Sequence, residues 1–251
     1  MHQSMFRHPA VRAHLDTLRS WGIRIVGPRI EEEKAKIAGI EEIVLSCERA
    51  LMGRPLAGKR VLVTSGPCRE PVDDVRVITT RSTGAMGKAL ALQAYRLGAE
   101  VTVVHNGRIP CVRNITVSSA SEMRSAVLGI CREQGADYYI SAAAVSDFAP
   151  VRQKGKIPSG RPVTIVLEPL EKIIDEVVAM CHPVTVAFKM GWDEEKRAEA
   201  MLSSGIRMVV VNTPEAMGAA AGEFVIMTAG GKQRVKGSKE EVSTSVWDAL
   251  V

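Results

Sequence analysis

From residue 60 onward, short runs of β-branched and apolar residues alternate with segments of helical period. No other feature of the chain limits its fold as strongly. The strand-like runs are Arg60–Thr64 (RVLVT), Glu100–His105 (EVTVVH), 115–117, 137–142 (DYYISA), 163–167, Val184–Phe188 (VTVAF) and 208–211. Between them lie helical segments at 85–97, ended by Gly98, at 122–134 with Ser121 as the expected cap, and at 173–179 and 193–203. Such alternation predicts a three-layer, Rossmann-like α/β fold: a mostly parallel sheet with helices on both faces. Residues 224–228 and 233–235 flank Gly230-Gly231 and predict a C-terminal antiparallel hairpin. Ser238 then caps a last helix over 239–249.

The first fifty residues read differently. Val11, Leu15 and Leu18 stand at helical spacing, residues 23–26 read as a short strand, 31–36 are charged, and 40–52 form a helix. The turn-rich GRPLAG at 53–58 marks a boundary. The expected division is 1–56 as a separate piece and 57–251 as one domain.

Composition narrows the function classes. The chain has 251 residues, with 33 basic against 28 acidic side chains and a net charge of +5. Basic residues cluster only at 152–161 and 232–239. With three Trp, three Tyr and four Phe, nothing interleaves bases with aromatics, so a nucleic-acid polymer is not expected. A small anionic substrate suits the chain better. No apolar run approaches the ~18 residues of a membrane helix, and no secretory signal opens the chain. Five cysteines without a C-x-x-C pair read as reduced, cytoplasmic thiols. Cys68 stands out by lying in a polar loop.

In a parallel sheet, ligands bind beyond the carboxyl ends of the strands. That places the search at 65–87, 142–156, 188–192 and 212–218. The loop after RVLVT runs nineteen residues, 65–83, before the next helix begins. It carries Arg69, Asp73, Asp74, Arg76 and Arg81 with Thr79, Thr80, Ser82 and Thr83, a set of cations and hydroxyl donors. Ser82-Thr83-Gly84-Ala85-Met86-Gly87 opens the helix, where free N–H groups and the helix dipole favour a phosphate. The following strand ends His105-Asn106-Gly107, without the acid that a dinucleotide ribose requires.

Together, SGPCREPVDDVRVITTRSTGAMG at 65–87, AAAVSDF at 142–148, GKIPSG at 155–160 and AFK at 187–189 resemble the phosphopantothenoylcysteine synthetase family, over residues 57–251. The first fifty residues look like the carboxyl end of the decarboxylase that often precedes it. The resemblance implies a ligase joining 4′-phosphopantothenate to cysteine through an acyl-nucleotide, with CTP or ATP as co-substrate, Mg²⁺, and no decarboxylase activity. It implies catalytic roles for Thr80, Arg76 and Lys156. Nucleotide contacts are implied at Ser141, Ala142, Ala143, Asp147 and Lys156, and on a further wall at Leu170, Glu171, Lys172, Ile173, Phe188 and Lys189. The phosphopantothenate region is implied at Arg76, Arg81, Ser82, Gly84, Met86 and Gly87. No protein metal site is implied. Thr80 departs from the family's usual Asn, and Ala200 and Ser204 stand where bacterial members carry lysines. A homodimer is implied, with a decarboxylase as a further partner and the 224–235 hairpin as a candidate contact. Two other readings fit the same fold: an NAD(P)-dependent reductase and a non-catalytic nucleotide-binding subunit.

Overall fold

The computed structural model describes residues 1–192 and 194–251, in two compact units, Met1–Gly53 and Arg54–Val251. In the first unit, α1 (Gln3–Phe6) and α2 (Pro9–Ser20) precede a hairpin of β1 (Arg29–Glu31) and β2 (Lys34–Lys36), and α3 (Ile40–Leu51) follows. Its buried apolar residues are Ala35, Ala38 and Leu45. The strand expected at 23–26 does not form, and the charged stretch at 31–36 pairs instead. Glu32 and Glu33, both at positive φ, make the tight turn between β1 and β2.

The second unit is built on an eight-stranded sheet. Its strands in chain order are β3 (Arg60–Thr64), β6 (Glu100–His105), β7 (Arg113–Thr116), β8 (Tyr138–Ser141), β11 (Val184–Met190), β12 (Met208–Asn212), β13 (Ala221–Thr228) and β14 (Gly231–Ser238). Across the sheet they stand in the order β14-β13-β12-β11-β8-β3-β6-β7. All pairings from β12 to β7 are parallel; β13 and β14 complete the sheet as an antiparallel hairpin. Four further short strands, β4 (Arg69–Pro71) with β5 (Val77–Thr79) and β9 (Phe148–Pro150) with β10 (Leu167–Pro169), form two small antiparallel pairs beside it.

Central parallel strands are buried on both faces and therefore read as continuous apolar runs. All five residues of β12 are buried, as are four of five in β3. Successive side chains point to opposite faces. Tyr139 and Leu62 join a cluster with Met123, Val127 and Leu128 of α5 (Ala120–Glu133) and Val177 of α6 (Ile173–Cys181). Ala198 of α7 (Glu195–Ser203) packs with Ala187, Val209 and Met227. On the other face, α4 (Ala85–Arg96) packs against α8 (Lys239–Asp248). Fully buried Trp247 donates its indole N–H to the Leu90 carbonyl at 3.0 Å and meets Tyr138 edge-on at 5.6 Å.

Several local expectations shift. α5 begins at Ala120, with Ser119 rather than Ser121 accepting the N–H of Glu122. Glu70 explains the earlier start: its buried carboxylate accepts the Ala120 N–H at 2.8 Å. The strand expected at 163–167 forms instead at Leu167–Pro169, overlapping only at Leu167, where β9 offers a partner. The loop 65–83, read as lacking strand period, contains the β4–β5 pair. Both hairpin strands at the C-terminus are longer than expected; α7 starts at Glu195 with Glu194 as its N-cap, and Asp193, the expected start, lies outside the described residues.

Candidate functional site

The chain forms β3 first, adds β6 and β7 on one side, and then adds β8, β11 and β12 on the other. The order reverses between β3 and β8, and a parallel sheet opens a crevice at such a point. Here the loops after the two strands stay joined. The N–H groups of Ala142 and Ala144 donate to the carbonyls of Thr64 and Gly66, at 3.2 and 2.9 Å. The floor is thus bare backbone and alanine methyls.

One wall is the start of α4. Gly84 is its N-cap at φ +75°, a left-handed conformation that glycine adopts without strain. The N-cap residue has no side chain to cap the helix, and Thr83 Oγ1 accepts the Ala85 N–H at 3.4 Å, which leaves the Met86 and Gly87 N–H groups of the first turn for a ligand. A second glycine, Gly87, lets the helix approach β3: a Cβ there would lie 2.2 Å from Ser65 Oγ and 2.4 Å from Ser65 Cβ. The Ser65 hydroxyl donates to the Gly84 carbonyl at 3.1 Å, which locks the approach.

The cavity in front of this turn has a volume of about 330 Å³. Thr80, Ser82, Gly84, Met86 and Gly87 line it from the first loop, and Ala142, Ala143 and Asp147 from the second. Phe188 and Lys189 come from the end of β11. The Thr80 hydroxyl oxygen is buried without a hydrogen-bond partner. An adjoining cavity of about 120 Å³ shares Ala143, Asp147, Phe188 and Lys189 and adds Ser141 with Leu170, Glu171, Lys172 and Ile173. Residues 141–147, 170–173 and 188–189, far apart in sequence, therefore meet on one wall.

Three expected residues are not brought there. Arg81 and Lys156 are exposed and line neither cavity. Arg76 binds the Asp73 carboxylate and donates to the Ile157 carbonyl at 3.2 Å. Asp73 is the centre of this tether. It accepts the N–H groups of Ile157, Val75 and Arg76 at 3.0, 2.8 and 2.6 Å. The Ile157 N–H first, then the other two amides and the guanidinium, hold its carboxyl well below the usual carboxylate range. Asp74 adds a second tie, accepting from Arg152 and from the Gly155 N–H, and is also held low, chiefly by Arg152. These residues fix the 73–76 turn to the 155–157 loop.

Cys68, singled out for its place in a polar loop, is buried. Burial, with Glu70 nearby, pushes its thiol up to about 12. Asn212, at the start of the 212–218 region, and Lys239, in the 232–239 basic cluster, were given no site role from sequence, yet both line the larger cavity. Asn212 carried a signal, a lone amide ending the apolar run MVVV. Lys239 carried none beyond that cluster.

Residues 56–251 match the model of the DNA/pantothenate metabolism flavoprotein C-terminal domain. The chain belongs to that family. The coenzyme A biosynthesis bifunctional protein CoaBC of Thermococcus kodakarensis is 39% identical over 263 residues, covering 100% of this chain and 65% of that protein. The chain spans about half to two thirds of the length of such curated relatives. A crystal structure of the C-terminal domain of a CoaBC protein is 28% identical, with a TM-score of 0.66, covering 79% of this chain and 96% of that one. A Cab2 variant solved in complex with phosphopantothenate-cysteine, 17% identical, shares the fold with a TM-score of 0.64 over 85% of this chain and 94% of that one.

The family corrects the identification drawn from the motifs. The match is to the C-terminal domain of a flavoprotein, not to a self-contained phosphopantothenoylcysteine synthetase. The ligase assignment is withdrawn on that ground. CTP or ATP as co-substrate and Mg²⁺ go with it, because the matched family is described as a flavoprotein. So does the exclusion of decarboxylase activity, because the relatives extend well beyond this chain. Among the described residues no group of three or more His, Cys, Asp or Glu is placed to hold a metal ion, and no helix is long and apolar enough to cross a membrane.

A flavoprotein family implies a flavin, and the pocket meets only part of that requirement. The first turn of α4 fits its phosphate. The described aromatic residues of the cavity are Phe188, half-buried, and Phe224, whose ring face is covered by the Lys239 ammonium at 4.6 Å. They provide no pair of flat walls for a three-ring system. The residues do not fit the flavin ring, and no step is derived through it.

Proposed function

We propose that this cavity binds a phosphorylated pantothenate derivative, and that the chain acts on such a compound in coenzyme A biosynthesis. The observation that carries the reading is the open first turn of α4, with left-handed Gly84 and the partnerless Thr80 hydroxyl at one end of the larger cavity. A phosphate there would take N–H groups and hydroxyls of Ser82 and Thr80. The pantothenate chain, narrow and mostly uncharged, would lie along the alanine floor toward Asp147, Phe188 and Lys189. The names of the CoaBC relatives and the ligand of the Cab2 complex support the same compound class.

Titration calorimetry with phosphopantothenate-cysteine and its dephosphorylated form tests the reading. Binding of the first at least tenfold tighter than the second is expected. Equal binding, or none, would refute it. Release of carbon dioxide from the bound compound, measured in the same preparation, would identify the chemistry as decarboxylation.

The cytoplasmic location and the homodimer are carried as part of this proposal. Five free cysteines support the first. Exposed Val77, Phe148 and Leu167 on the two small strand pairs, with Val75 in the turn between β4 and β5, support self-association. Edge strand β14 carries Lys232, Arg234 and Lys236 and suits it less. Sedimentation equilibrium would decide, a monomer at micromolar concentration counting against the dimer.

A further inference from the structure

Two polar side chains, one ending β12 and one opening α8, line the larger cavity without a use in the reading above. Asn212 ends β12, and its cross-strand partner on β13 is Phe224. Directly opposed residues of an antiparallel pair project to the same face. Lys239 opens α8, and its ammonium sits over the Phe224 ring, 4.6 Å from the centroid. Register and helix start thus set the carboxamide and the ammonium on one patch of cavity wall.

The protein leaves both groups with unused hydrogen-bonding capacity. Asn212 is 9% exposed, and its amide, without a side-chain hydrogen bond among the described residues, is not sealed off from the cavity it lines. Lys239 is 8% exposed and has three N–H donors, of which one reaches the Ala216 carbonyl at 2.9 Å. No carboxylate lies within ion-pair distance of it among the described residues. Burial without a counter-charge holds the ammonium below the ordinary lysine value. A buried cation and a buried amide normally find partners, because leaving them unpaired is costly. Here the open direction is the cavity.

We infer that Lys239 and Asn212 form a carboxylate-binding subsite, distinct from the phosphate position at α4. This rests on the reading of the cavity as a site for a phosphorylated pantothenate derivative. A carboxylate is planar with two acceptor oxygens, one for the ammonium and one for the amide N–H. The ligand class is therefore doubly anionic, with a phosphate at one end and a free carboxylate elsewhere. A ligand whose carboxylate has been removed or masked lacks the matching group and binds more weakly.

The test compares phosphopantothenate-cysteine with its carboxamide by calorimetry, in the wild type, Lys239→Met and Asn212→Asp. The wild type is expected to prefer the carboxylate by about tenfold or more, the scale of one charged hydrogen bond. Lys239→Met should lose that preference while keeping its affinity for the carboxamide. Near-isosteric Asn212→Asp should lose it by repulsion, and serves if the lysine variant folds poorly. Equal binding of both compounds by the wild type would overturn the subsite alone. Equal loss for both compounds in both variants would do the same, marking the residues as structural. Binding of neither compound by the wild type would overturn the cavity reading and the subsite with it.

Discussion

Replacing Gly87 by alanine sets two effects of known sign against each other. In an exposed helix interior this change stabilises by about 1 kcal/mol, because alanine loses less backbone entropy. At Gly87 the new methyl would lie 2.2 Å from Ser65 Oγ, 2.4 Å from its Cβ and 3.1 Å from its Cα. Carbon contacts are comfortable at about 3.5–4.0 Å. Rotating the hydroxyl away cannot relieve the overlap, because Cβ is fixed to the strand. The helix start must move from β3 instead. Overpacking costs about 1–3 kcal/mol, and this case belongs at the upper end because backbone is involved. The Ser65–Gly84 hydrogen bond, worth about 1 kcal/mol, would be lost as well. The net expectation is a destabilisation of about 2–3 kcal/mol. For a unit of this size that lowers Tm by roughly 4–12 °C in calorimetry. Affinity for phosphopantothenate-cysteine should fall too, since the same turn faces the cavity. Adding Ser65→Gly removes the two closest atoms and should restore most of the loss, a coupling of about 1–2 kcal/mol. A Gly87→Ala protein as stable as wild type would refute the close approach of α4 to β3.

Three further outcomes follow from the same geometry. Asp73 has a native pKa lowered chiefly by the Ile157 amide, so its ionised form stabilises the fold above the unfolded value of about 3.9, and this contribution declines as pH falls below it. In denaturant melts, Asp73→Asn should be less stable than wild type at pH 7 by an amount that shrinks at pH 3; an unchanged gap would contradict the assignment. In native protein at pH 8, an alkylating reagent should label exposed Cys47 far faster than Cys68 or Cys131, whose thiols burial pushes up to about 12, and mass mapping with Cys68 labelled as fast would count against its burial. Thr80→Val removes a buried hydroxyl that has no partner in the protein, so stability should stay within about 0.5 kcal/mol or rise while affinity for phosphopantothenate-cysteine drops severalfold. A drop in stability without a drop in affinity would place that hydroxyl in the structure and not the site.

Much of the architecture was legible because the central strands are buried on both faces. RVLVT, EVTVVH and MVVVN have no other way to hide their side chains than a covered parallel sheet. The Gly84–Gly87 segment was legible as a helix start for an equally local reason. Local period could not find β4, β5, β9 and β10. Each is three residues long, β5 and β10 exposed throughout and β4 and β9 in part, and exists because a partner lies alongside. Residues 23–26 show the converse: a β-prone run with no partner stays irregular. Arg76 is a different failure. Its setting among hydroxyls and arginines suggests an anion site, yet Asp73 three residues earlier takes its guanidinium.

What the sequence determined by itself was the order of strands and helices, the loops at the carboxyl ends of the strands, and the glycine pattern at the start of α4. These depend on side-chain period and on backbone freedom, both written within a few residues. Tertiary structure decided which of the charged and polar residues share a cavity. Strand order brings 141–147 beside 188–189, and the register of β12 with β13 sets Asn212 opposite Phe224, beneath the ammonium of Lys239. Such neighbours are separated by tens of residues along the chain. Only the pairing of the strands, driven by burial of their apolar faces, brings them together.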